Sequence, residues 1–292
     1  MNIVKTKTAL REKLDEFRAQ GHKIAFVPTM GALHEGHLSL FNKAATLADK
    51  VVCSIFVNPT QFNDPEDLKK YPRPIEKDIA LLESVGCDVL FLPEVEEMYP
   101  AKGEVEGDWE IDLGVLDQVL EGKERPGHFK GVVQIVYKLF KAVHPDVAVF
   151  GQKDLQQVLV IESLIRQKQL LIQLVMEPTK REQNGLAMSS RNIRLSETGK
   201  QQALALSQTL ARTKTRIAEW QKGNGTLAEI RDKAVEELQA ASGVTLEYFA
   251  LCDRKTLLDA TENTPAKDLV GLVAAWVEGV RLIDNSILDP EA

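Results

Sequence analysis

Five short runs of apolar residues, rich in valine, isoleucine and phenylalanine, recur along the first 176 residues of the chain. Runs that are apolar on both faces and alternate with helices are typical of a parallel sheet covered by helices on both sides. The sequence therefore predicts an α/β fold built on a doubly wound parallel sheet. The predicted strands cover residues 23–28, 51–57, 87–92, 146–150 and 171–176, and helical spacing marks residues 36–49, 67–85 and 131–143.

The pattern changes after Pro178. Two long amphipathic helices are predicted over residues 196–220 and 226–241, and strands over residues 244–250 and 269–277. Helices followed by strands indicate a separate, smaller α+β domain. We therefore expect residues 1–180 to form the sheet domain and residues 181–292 to form a second domain.

Composition excludes several functional classes. The 292 residues include 36 basic and 43 acidic side chains, for a net charge of −7, which argues against a broad nucleic-acid surface. Cys53, Cys87 and Cys252 lie far apart, and cysteines without metal-ligand or redox spacing fit a reducing cytoplasm. The first 20 residues are charged rather than signal-like, and no apolar stretch has the length of a membrane span. We expect a cytoplasmic protein with no nucleic-acid or membrane partner.

Two histidines and two glycines follow the first strand predicted for the sheet. Open α/β sheets bind ligands outside the carboxyl ends of their strands. Gly31 permits a tight turn, and Gly36 lets a ligand approach the backbone where the next helix begins. His34 and His37 are three residues apart and can face the same side of the first helical turn. With the N–H groups of a helix start, they predict binding of nucleotide phosphate groups.

Other interpretations of the two histidines remain open. They can be two ligands of a zinc site, although no cysteine or carboxylate cluster accompanies them. They can also be helix-capping residues with no ligand, and a short His-x-Gly-His string also occurs by chance. The position between a strand and a helix favours nucleotide binding.

Three further segments place polar side chains after predicted strands or near the domain junction. Gln61 can donate and accept a hydrogen bond at once, which suits a hydroxy-acid ligand, although an Asn-Pro turn alone explains this segment. Lys153 follows Gly151 at a strand end and supplies a positive charge for phosphate, with Gln157 one helical turn later. Ser189, Ser190 and Arg191 can clamp phosphates, or they are a helix cap followed by an unrelated arginine.

A polar segment around residues 124–131 precedes the third predicted helix. Arg125, His128 and Lys130 can hold anions there, although such residues are more often part of a solvated loop. Gln134 lies one turn into the helix that follows.

These strings resemble known enzymes. The His-x-Gly-His turn is similar to that of nucleotidylyltransferases and class I aminoacyl-tRNA synthetases. The longer string VPTMGALHEGH, residues 27–37, resembles the pantoate–β-alanine ligase family. The resemblance extends through residues 54–62, 149–157 and 185–192 to the final segment around residues 274–285. It implies a Rossmann-like fold of nucleotidyltransferase type, with the second domain acting as a lid.

The resemblance also implies a reaction. ATP would activate pantoate as pantoyl adenylate with release of diphosphate, and β-alanine would then displace AMP to give pantothenate. Mg²⁺ is expected with ATP, held largely by phosphate and water oxygens rather than by dedicated protein ligands. The family further implies a homodimer.

Site residues follow from the same resemblance. His37 is the expected proton donor, and the other catalytic residues are expected to stabilise phosphate charge: His34, Lys153, Ser189, Ser190 and Arg191. Gln61, Gln134 and Gln157 are expected to bind pantoate, Gln61 also β-alanine, with Tyr71 nearby. The ATP contacts are expected from Met30, Gly31, Ala32, Leu33, His34, Glu35, Gly36, His37, Gly151, Gln152, Lys153, Asp154, Lys180, Met188, Ser189, Ser190 and Arg191. Lys180 stands where relatives usually carry an apolar residue, and its contact is expected through the backbone.

Two other functions fit parts of the sequence. A nucleotidylyltransferase would keep the nucleotide in its product, and a tRNA-charging enzyme would need a basic accessory surface, whereas this chain is acidic. A non-catalytic nucleotide-binding protein would have no need of both histidines, Lys153 and the Ser-Ser-Arg string. Release of free AMP only when β-alanine is added separates the ligase from these alternatives.

Overall fold

The computed structural model describes residues 1–63, 65–100 and 108–291. The chain forms two compact units. The first comprises Met1–Asp117, Glu121–Gln152 and Gln157–Pro178, and the second comprises Gln118–Leu120, Lys153–Gln156 and Thr179–Ala292. No helix within the described ranges has both the length and the apolar character needed to span a bilayer.

Six parallel strands form the sheet of the first unit, counting the described residues. The strand order is β1-β4-β3-β2-β5-β6, and every pairing is parallel. The predicted α/β class with a doubly wound parallel sheet is therefore confirmed. The strands are β1 (Asn2–Val4), β2 (Ile24–Thr29), β3 (Lys50–Ile55), β4 (Val89–Phe91), β5 (Val147–Gly151) and β6 (Gln173–Glu177).

Alternate strand residues pack on opposite faces of this sheet, because successive side chains of a strand point to opposite sides. Around this sheet the chain forms α1 (Lys7–Ala19), α2 (Glu35–Ala45), α3 (Pro65–Lys70), α4 (Ile75–Ser84), α5 (Val95–Met98), α6 (Leu120–Glu124), α7 (His128–Val143) and α8 (Leu155–Gln167). Phe26 and the strand residues on the same face of the sheet form one apolar core with residues of α1, α7 and α8. Val27 and the strand residues on the opposite face form a second apolar core with residues of α2 and α4.

The helix predicted over residues 67–85 is two helices in the structure. Helix α3 ends at Lys70, and α4 begins at Ile75. Pro72 and Pro74 lie between them, and proline removes a backbone donor and restricts the residue before it. The periodicity continues across the prolines, which is why the pattern suggested one helix.

The centre of the sheet contains the point where the chain changes direction. From β2 the chain continues to β3 and β4 on one side, and it returns to place β5 and β6 on the other side of β2. Ligands of doubly wound folds bind at the carboxyl ends of the strands at this switch point. The His34–His37 turn follows β2, and Gly151 ends β5, so both segments begin at this point.

The second unit packs two helices against a three-stranded antiparallel sheet. The elements are α9 (Glu197–Trp220), α10 (Leu227–Ala240), β7 (Val244–Asp253), β8 (Leu269–Val277) and β9 (Val280–Ile287). The strand order is β7-β8-β9, and residues from α9, α10 and all three strands share one apolar core.

Strand β9 is missing from the sequence-based prediction. It pairs with β8 through a two-residue turn at Glu278 and Gly279, whose φ angles are 50° and 73°. Two central residues of positive φ are typical of the hairpin turn that matches strand twist. Glutamate in the first position is unusual for this turn, and polar residues in β9 conceal its strand pattern.

Helix α10 provides a test of local stability. The Thr226 side chain accepts a hydrogen bond from the Glu229 N–H, and the Glu229 side chain accepts one from the Thr226 N–H. We expect Thr226→Ala to lower the free energy of unfolding by about 1 kcal/mol, because it leaves a helix donor without its cap. Urea unfolding followed by circular dichroism measures the change. Thr226→Ser keeps the oxygen, so equal destabilisation by serine and alanine would contradict this account.

Candidate active site

The turn after β2 has an unusual backbone held by one carboxylate. Gly31 and Ala32 both have positive φ, 79° and 52°. The Asp78 carboxylate on α4 accepts hydrogen bonds from the N–H of Ala32 at 2.8 Å and of Leu33 at 2.7 Å. A side chain at Gly31 would place its Cβ 3.0 Å from Asp78 Oδ2. Glycine and this aspartate together therefore hold the turn that leads into α2.

Asp78 was not identified as a site residue from the sequence, although the apolar residues spaced around it indicate that it faces the core. It lies at helical spacing from Ile75 and Leu82, on the side of α4 that faces the core. Its side chain is buried, and burial raises the pKa of the carboxyl group above its ordinary value. A charged residue within an apolar helix face needs hydrogen-bond partners, and here the turn provides them.

The two histidines cap the start of α2. The N–H of Gly36 donates to His34 Nδ1 at 3.1 Å, and the N–H of His34 donates to His37 Nδ1 at 3.3 Å. The ring centroids are 4.1 Å apart. The capping interpretation therefore describes their geometry correctly, and these two N–H groups are engaged by the rings.

Capping also determines the chemistry of the rings. A backbone N–H can only donate, so Nδ1 of each histidine is an acceptor and carries no proton. The proton of each neutral ring is then on Nε2. Both His34 and His37 are partly exposed. Each ring therefore has an Nε2–H donor suited to an anionic oxygen, and the cap prevents the ring from turning freely.

Gln61 lies in a short 3-10 helix after β3, Pro59–Gln61. Its side chain is buried, its Oε1 accepts from Asn58 Nδ2 at 3.1 Å, and its Nε2 lies 3.2 Å from Met30 Sδ. Sulfur is a weak acceptor. The structure thus brings Gln61 to the turn that precedes the two histidines.

Two residues at the start of α7 and just before it contact the backbone of Gln61, although the segment between them is exposed. His128 is buried, and its Nδ1 donates to the Gln61 carbonyl at 2.8 Å. Arg125 Nη2 lies 3.5 Å from the same carbonyl, and Nη1 lies 3.7 Å from Glu121. Lys130 is exposed and pairs with Glu110 at 3.4 Å. His128 thus holds the Gln61 backbone through Nδ1, and the anion-holding role considered for Arg125, His128 and Lys130 stays a prediction.

The remaining candidates of the first unit are on α7, on α8, at the end of β5 and between α3 and α4. Gln134 and Gln157 are partly buried on α7 and α8. Gly151 is the last residue of β5, and Gln152 opens a 3-10 helix, Gln152–Asp154. Tyr71 is buried, with its ring 5.7 Å from that of Phe62.

The second unit contains Lys153, Asp154 and the Ser-Ser-Arg segment. The Lys153 carbonyl accepts from Asn285 Nδ2 on β9 at 2.9 Å. Ser189 caps a 3-10 helix, Ser190–Arg194, by accepting from the Arg191 N–H at 3.3 Å. The capping interpretation of the serine is therefore correct in geometry. Lys180 is exposed, and its carbonyl accepts from the Met188 N–H at 3.0 Å.

An ion pair fixes the hairpin of residues 181–188, which lies between Lys180 and the Ser-Ser-Arg segment. Arg181 donates to both carboxylate oxygens of Asp284, at 2.7 and 3.0 Å, and also to the carbonyls of Gly185 and Asn285. Bidentate pairing of this kind is both strong and directional. Adjacent residues of β9, Asp284 and Asn285, thus hold the 181–188 hairpin and the Lys153 backbone within the second unit.

The three cysteines are structural. All are free and buried, and burial raises the pKa of Cys87 and of Cys252 to about 12. The pKa of Cys53 is also raised well above its ordinary value by burial. Thiols of this kind remain protonated and unreactive at neutral pH.

The comparisons with known proteins agree with each other. The pantoate-beta-alanine ligase family model matches residues 2–287. A pantothenate synthetase from Bacteroides thetaiotaomicron is 44% identical over 285 residues, 98% of each chain. The crystal structure of a pantothenate synthetase from Thermus thermophilus is 39% identical, with a TM-score of 0.90, over 99% of this chain and 100% of that one.

A third relative has bound ligands. The crystal structure of pantoate-beta-alanine ligase from Francisella tularensis, complexed with beta-gamma ATP and beta-alanine, is 33% identical, with a TM-score of 0.75. The alignment covers 99% of this chain and 98% of that one. The resemblance noted in the VPTMGALHEGH string is confirmed by these matches. Since the family model and the sequence relatives extend over nearly the whole chain, the chain belongs to the pantoate–β-alanine ligase family and is a ligase.

Proposed function

We propose that this ligase condenses pantoate with β-alanine at the expense of ATP, through a pantoyl-adenylate intermediate. The observation that carries the proposal is the capped histidine pair after β2. Because Nδ1 of each ring accepts a backbone N–H, His34 and His37 both have Nε2–H donors at the switch point of the sheet. Donors at that place are suited to the oxygens of a nucleotide phosphate.

The first step transfers adenylate. A carboxylate oxygen of pantoate attacks the α-phosphorus of ATP, and the bond from that phosphorus to the bridging oxygen breaks, releasing diphosphate. Negative charge grows on the phosphate oxygens and on the leaving diphosphate. Preorganised donors stabilise such charge. We assign His37 as the principal donor, with charge stabilisation from His34, Lys153, Ser189, Ser190 and Arg191.

The second step forms the amide. The amine of β-alanine attacks the acyl carbon of pantoyl adenylate, the bond to the AMP oxygen breaks, and the amine loses a proton. Adenylation is needed because a free carboxylate is unreactive toward an amine at neutral pH. No side-chain nucleophile is required, so alignment of the substrates is the main contribution of the protein. This agrees with the unreactive cysteines.

Substrate contacts are assigned on the same basis. We propose that Gln61, Gln134 and Gln157 bind pantoate, and that Gln61 also lies next to β-alanine. Residues 30–37, residues 151–154, Lys180 and residues 188–191 are proposed to contact ATP. The ligands named for the Francisella tularensis relative support ATP and β-alanine as substrates here.

Mg²⁺ is proposed to enter with ATP, held by phosphate and water oxygens. Among the described residues, no group of three or more histidine, cysteine, aspartate or glutamate side chains is arranged to hold a metal ion. A cytoplasmic homodimer is proposed from the family alone. Chelation of Mg²⁺ by EDTA is expected to abolish turnover, with recovery when the ion is returned.

Product analysis tests the proposed reaction. Purified protein is incubated with Mg²⁺, ATP, pantoate and β-alanine, and then with each substrate omitted in turn. We expect free AMP and pantothenate only when all three substrates are present, and bound pantoyl adenylate with diphosphate when β-alanine is absent. A product that retains the nucleotide would support a nucleotidylyltransferase instead. ATP binding without AMP formation would support a non-catalytic protein.

A further inference from the structure

The buried amide of Asn58 has every hydrogen-bonding position occupied. Its Nδ2 donates to the Gly131 carbonyl at 3.2 Å and to Gln61 Oε1 at 3.1 Å. Its Oδ1 accepts from the Tyr99 hydroxyl at 2.7 Å and from Thr60 Oγ1 at 3.2 Å. An amide has two donor hydrogens and two acceptor lone pairs. Asn58 therefore has no hydrogen bond left for a substrate.

The orientation of this amide is determined by a backbone group. The Gly131 carbonyl can only accept, so the Asn58 atom facing it is the nitrogen. The same nitrogen faces Gln61, so the Gln61 atom in that contact is the oxygen. Gln61 is therefore held with its carbonyl oxygen toward Asn58 and its NH₂ group on the other side, next to Met30 Sδ.

A close approach of two segments makes this arrangement possible. A Cβ atom at Gly131 would lie 2.5 Å from the Thr60 carbonyl oxygen, so only glycine fits where α7 crosses the 3-10 helix. That contact lets the Gly131 carbonyl reach Asn58. His128, one turn earlier, donates to the Gln61 backbone carbonyl at 2.8 Å. Both the backbone and the side chain of Gln61 are thus fixed from α7.

We propose that Tyr99 and Asn58 are positioning residues that make Gln61 a hydrogen-bond donor toward pantoate. With its oxygen engaged by Asn58, Gln61 offers N–H groups to an acceptor, which suits a carboxylate or hydroxyl oxygen of pantoate. It is not arranged to accept from the ammonium group of β-alanine. This inference rests on the proposed binding of pantoate by Gln61.

The hydrogen bonds from Tyr99 to Asn58 and from Asn58 to Gln61 are called the relay below. Steady-state kinetics of Tyr99→Phe tests it. Losing the hydroxyl removes the shorter of two donors to Asn58 Oδ1, so Asn58 is held less firmly and fixes the Gln61 amide less well. We expect KM for pantoate to rise about 3- to 10-fold, the size of one hydrogen bond, while KM for ATP changes less than about twofold. Asn58→Ala removes the whole relay and should raise KM for pantoate further. Tyr137→Phe, on α7 outside the relay, is the matched control and should match wild type.

A double-variant cycle separates positioning from general structural damage. If Tyr99 acts through Gln61, then Tyr99→Phe should add nothing to KM for pantoate in a Gln61→Ala background. Full additivity of the two changes would overturn the relay while leaving the Gln61 contact in place. An unchanged KM for pantoate in Gln61→Ala alone would instead refute the proposed contact itself. Thermal melts confirm that each variant is folded.

Gln61→Glu tests the direction of the hydrogen bond. Glutamate can still accept from Asn58, but it presents a negative oxygen where the amide presented N–H groups. We expect KM for pantoate to rise more than in Gln61→Ala, because a negative charge without N–H groups would then face the anionic substrate. A KM for pantoate no higher than in Gln61→Ala would overturn the proposal, since it would mean that an acceptor at this position serves pantoate as well as the N–H groups do.

Discussion

Replacing His37 with alanine is expected to lower the rate of adenylate formation by about 10²- to 10⁴-fold, the usual contribution of a positioned proton donor. The proposed mechanism uses the Nε2–H of His37 to stabilise the departing diphosphate. Its Nδ1 accepts the His34 N–H, so the variant also loses a capping bond and about 1 kcal/mol of stability. Diphosphate release in a single turnover with ATP and pantoate measures the chemical step directly.

Two further variants separate the donor function of the His37 ring from its function as a helix cap. His37→Asn can keep an acceptor near the position of Nδ1 but has no group at Nε2, so stability should recover and activity should not. His37→Gln can place a neutral NH₂ group near the position of Nε2, and we expect it to recover part of the activity. Unchanged diphosphate release in His37→Ala would eliminate the assignment. Recovery of full activity by asparagine would show that the cap alone matters.

Local sequence was sufficient to find the histidine turn. A β-rich run, Gly31, and a His-x-Gly-His string before an amphipathic stretch identify a strand, a turn and a helix start from neighbouring residues alone. The structure adds the tautomer, because the rings accept from backbone N–H groups only two or three residues away. Capping and ligand binding were treated as alternatives in the sequence, whereas the geometry is compatible with both.

Contacts between distant residues were not predictable in the same way. Asp78 holds a turn 45 and 46 residues before it, and Asn58 is oriented by Gly131, 73 residues later. No spacing rule joins such pairs, because the packing of α4 and α7 against the sheet decides them. His128 is an example of a contact that the sequence does not reveal. Its polar surroundings in sequence suggested a polar loop, either solvated or able to hold an anion, but its ring is buried against the Gln61 backbone.

The glycines at positions 31 and 131 show how sequence and packing combine. Another segment comes close at both: an added Cβ would lie 2.5 Å from the Thr60 carbonyl oxygen at position 131 and 3.0 Å from Asp78 Oδ2 at position 31. Gly31 lets Asp78 reach the turn, and Gly131 lets α7 reach the 3-10 helix that carries Gln61. From the sequence, Gly31 was expected to have a conformational role and Gly131 was not. Close approach, unlike a positive φ, depends on the partner segment and leaves no local pattern.

Asp78→Ala is expected to have the second large effect. The alanine leaves the N–H groups of Ala32 and Leu33 without their acceptor, at a cost of about 1–3 kcal/mol for each buried donor. Two residues of positive φ then lack their anchor, so the turn that leads to His34 should lose its shape. We expect lower thermal stability and a KM for ATP raised at least about tenfold. Glu76→Gln, an exposed carboxylate on the same helix, is the matched control.

The stability difference between wild type and Asp78→Asn is expected to depend on pH. Burial raises the pKa of Asp78 above its ordinary value of 3.8, so the folded protein binds this proton more tightly than the unfolded chain does. The contribution of this group to the free energy of unfolding therefore falls as pH rises from 3.8 through the raised pKa. Asparagine does not titrate, so the stability advantage of wild type over Asp78→Asn should be greatest at the acid end and shrink as pH rises. Urea unfolding of both proteins from about pH 4 to about pH 7 measures this difference. An advantage that grows with pH would mean that the two N–H bonds outweigh desolvation and hold the carboxylate below its ordinary pKa.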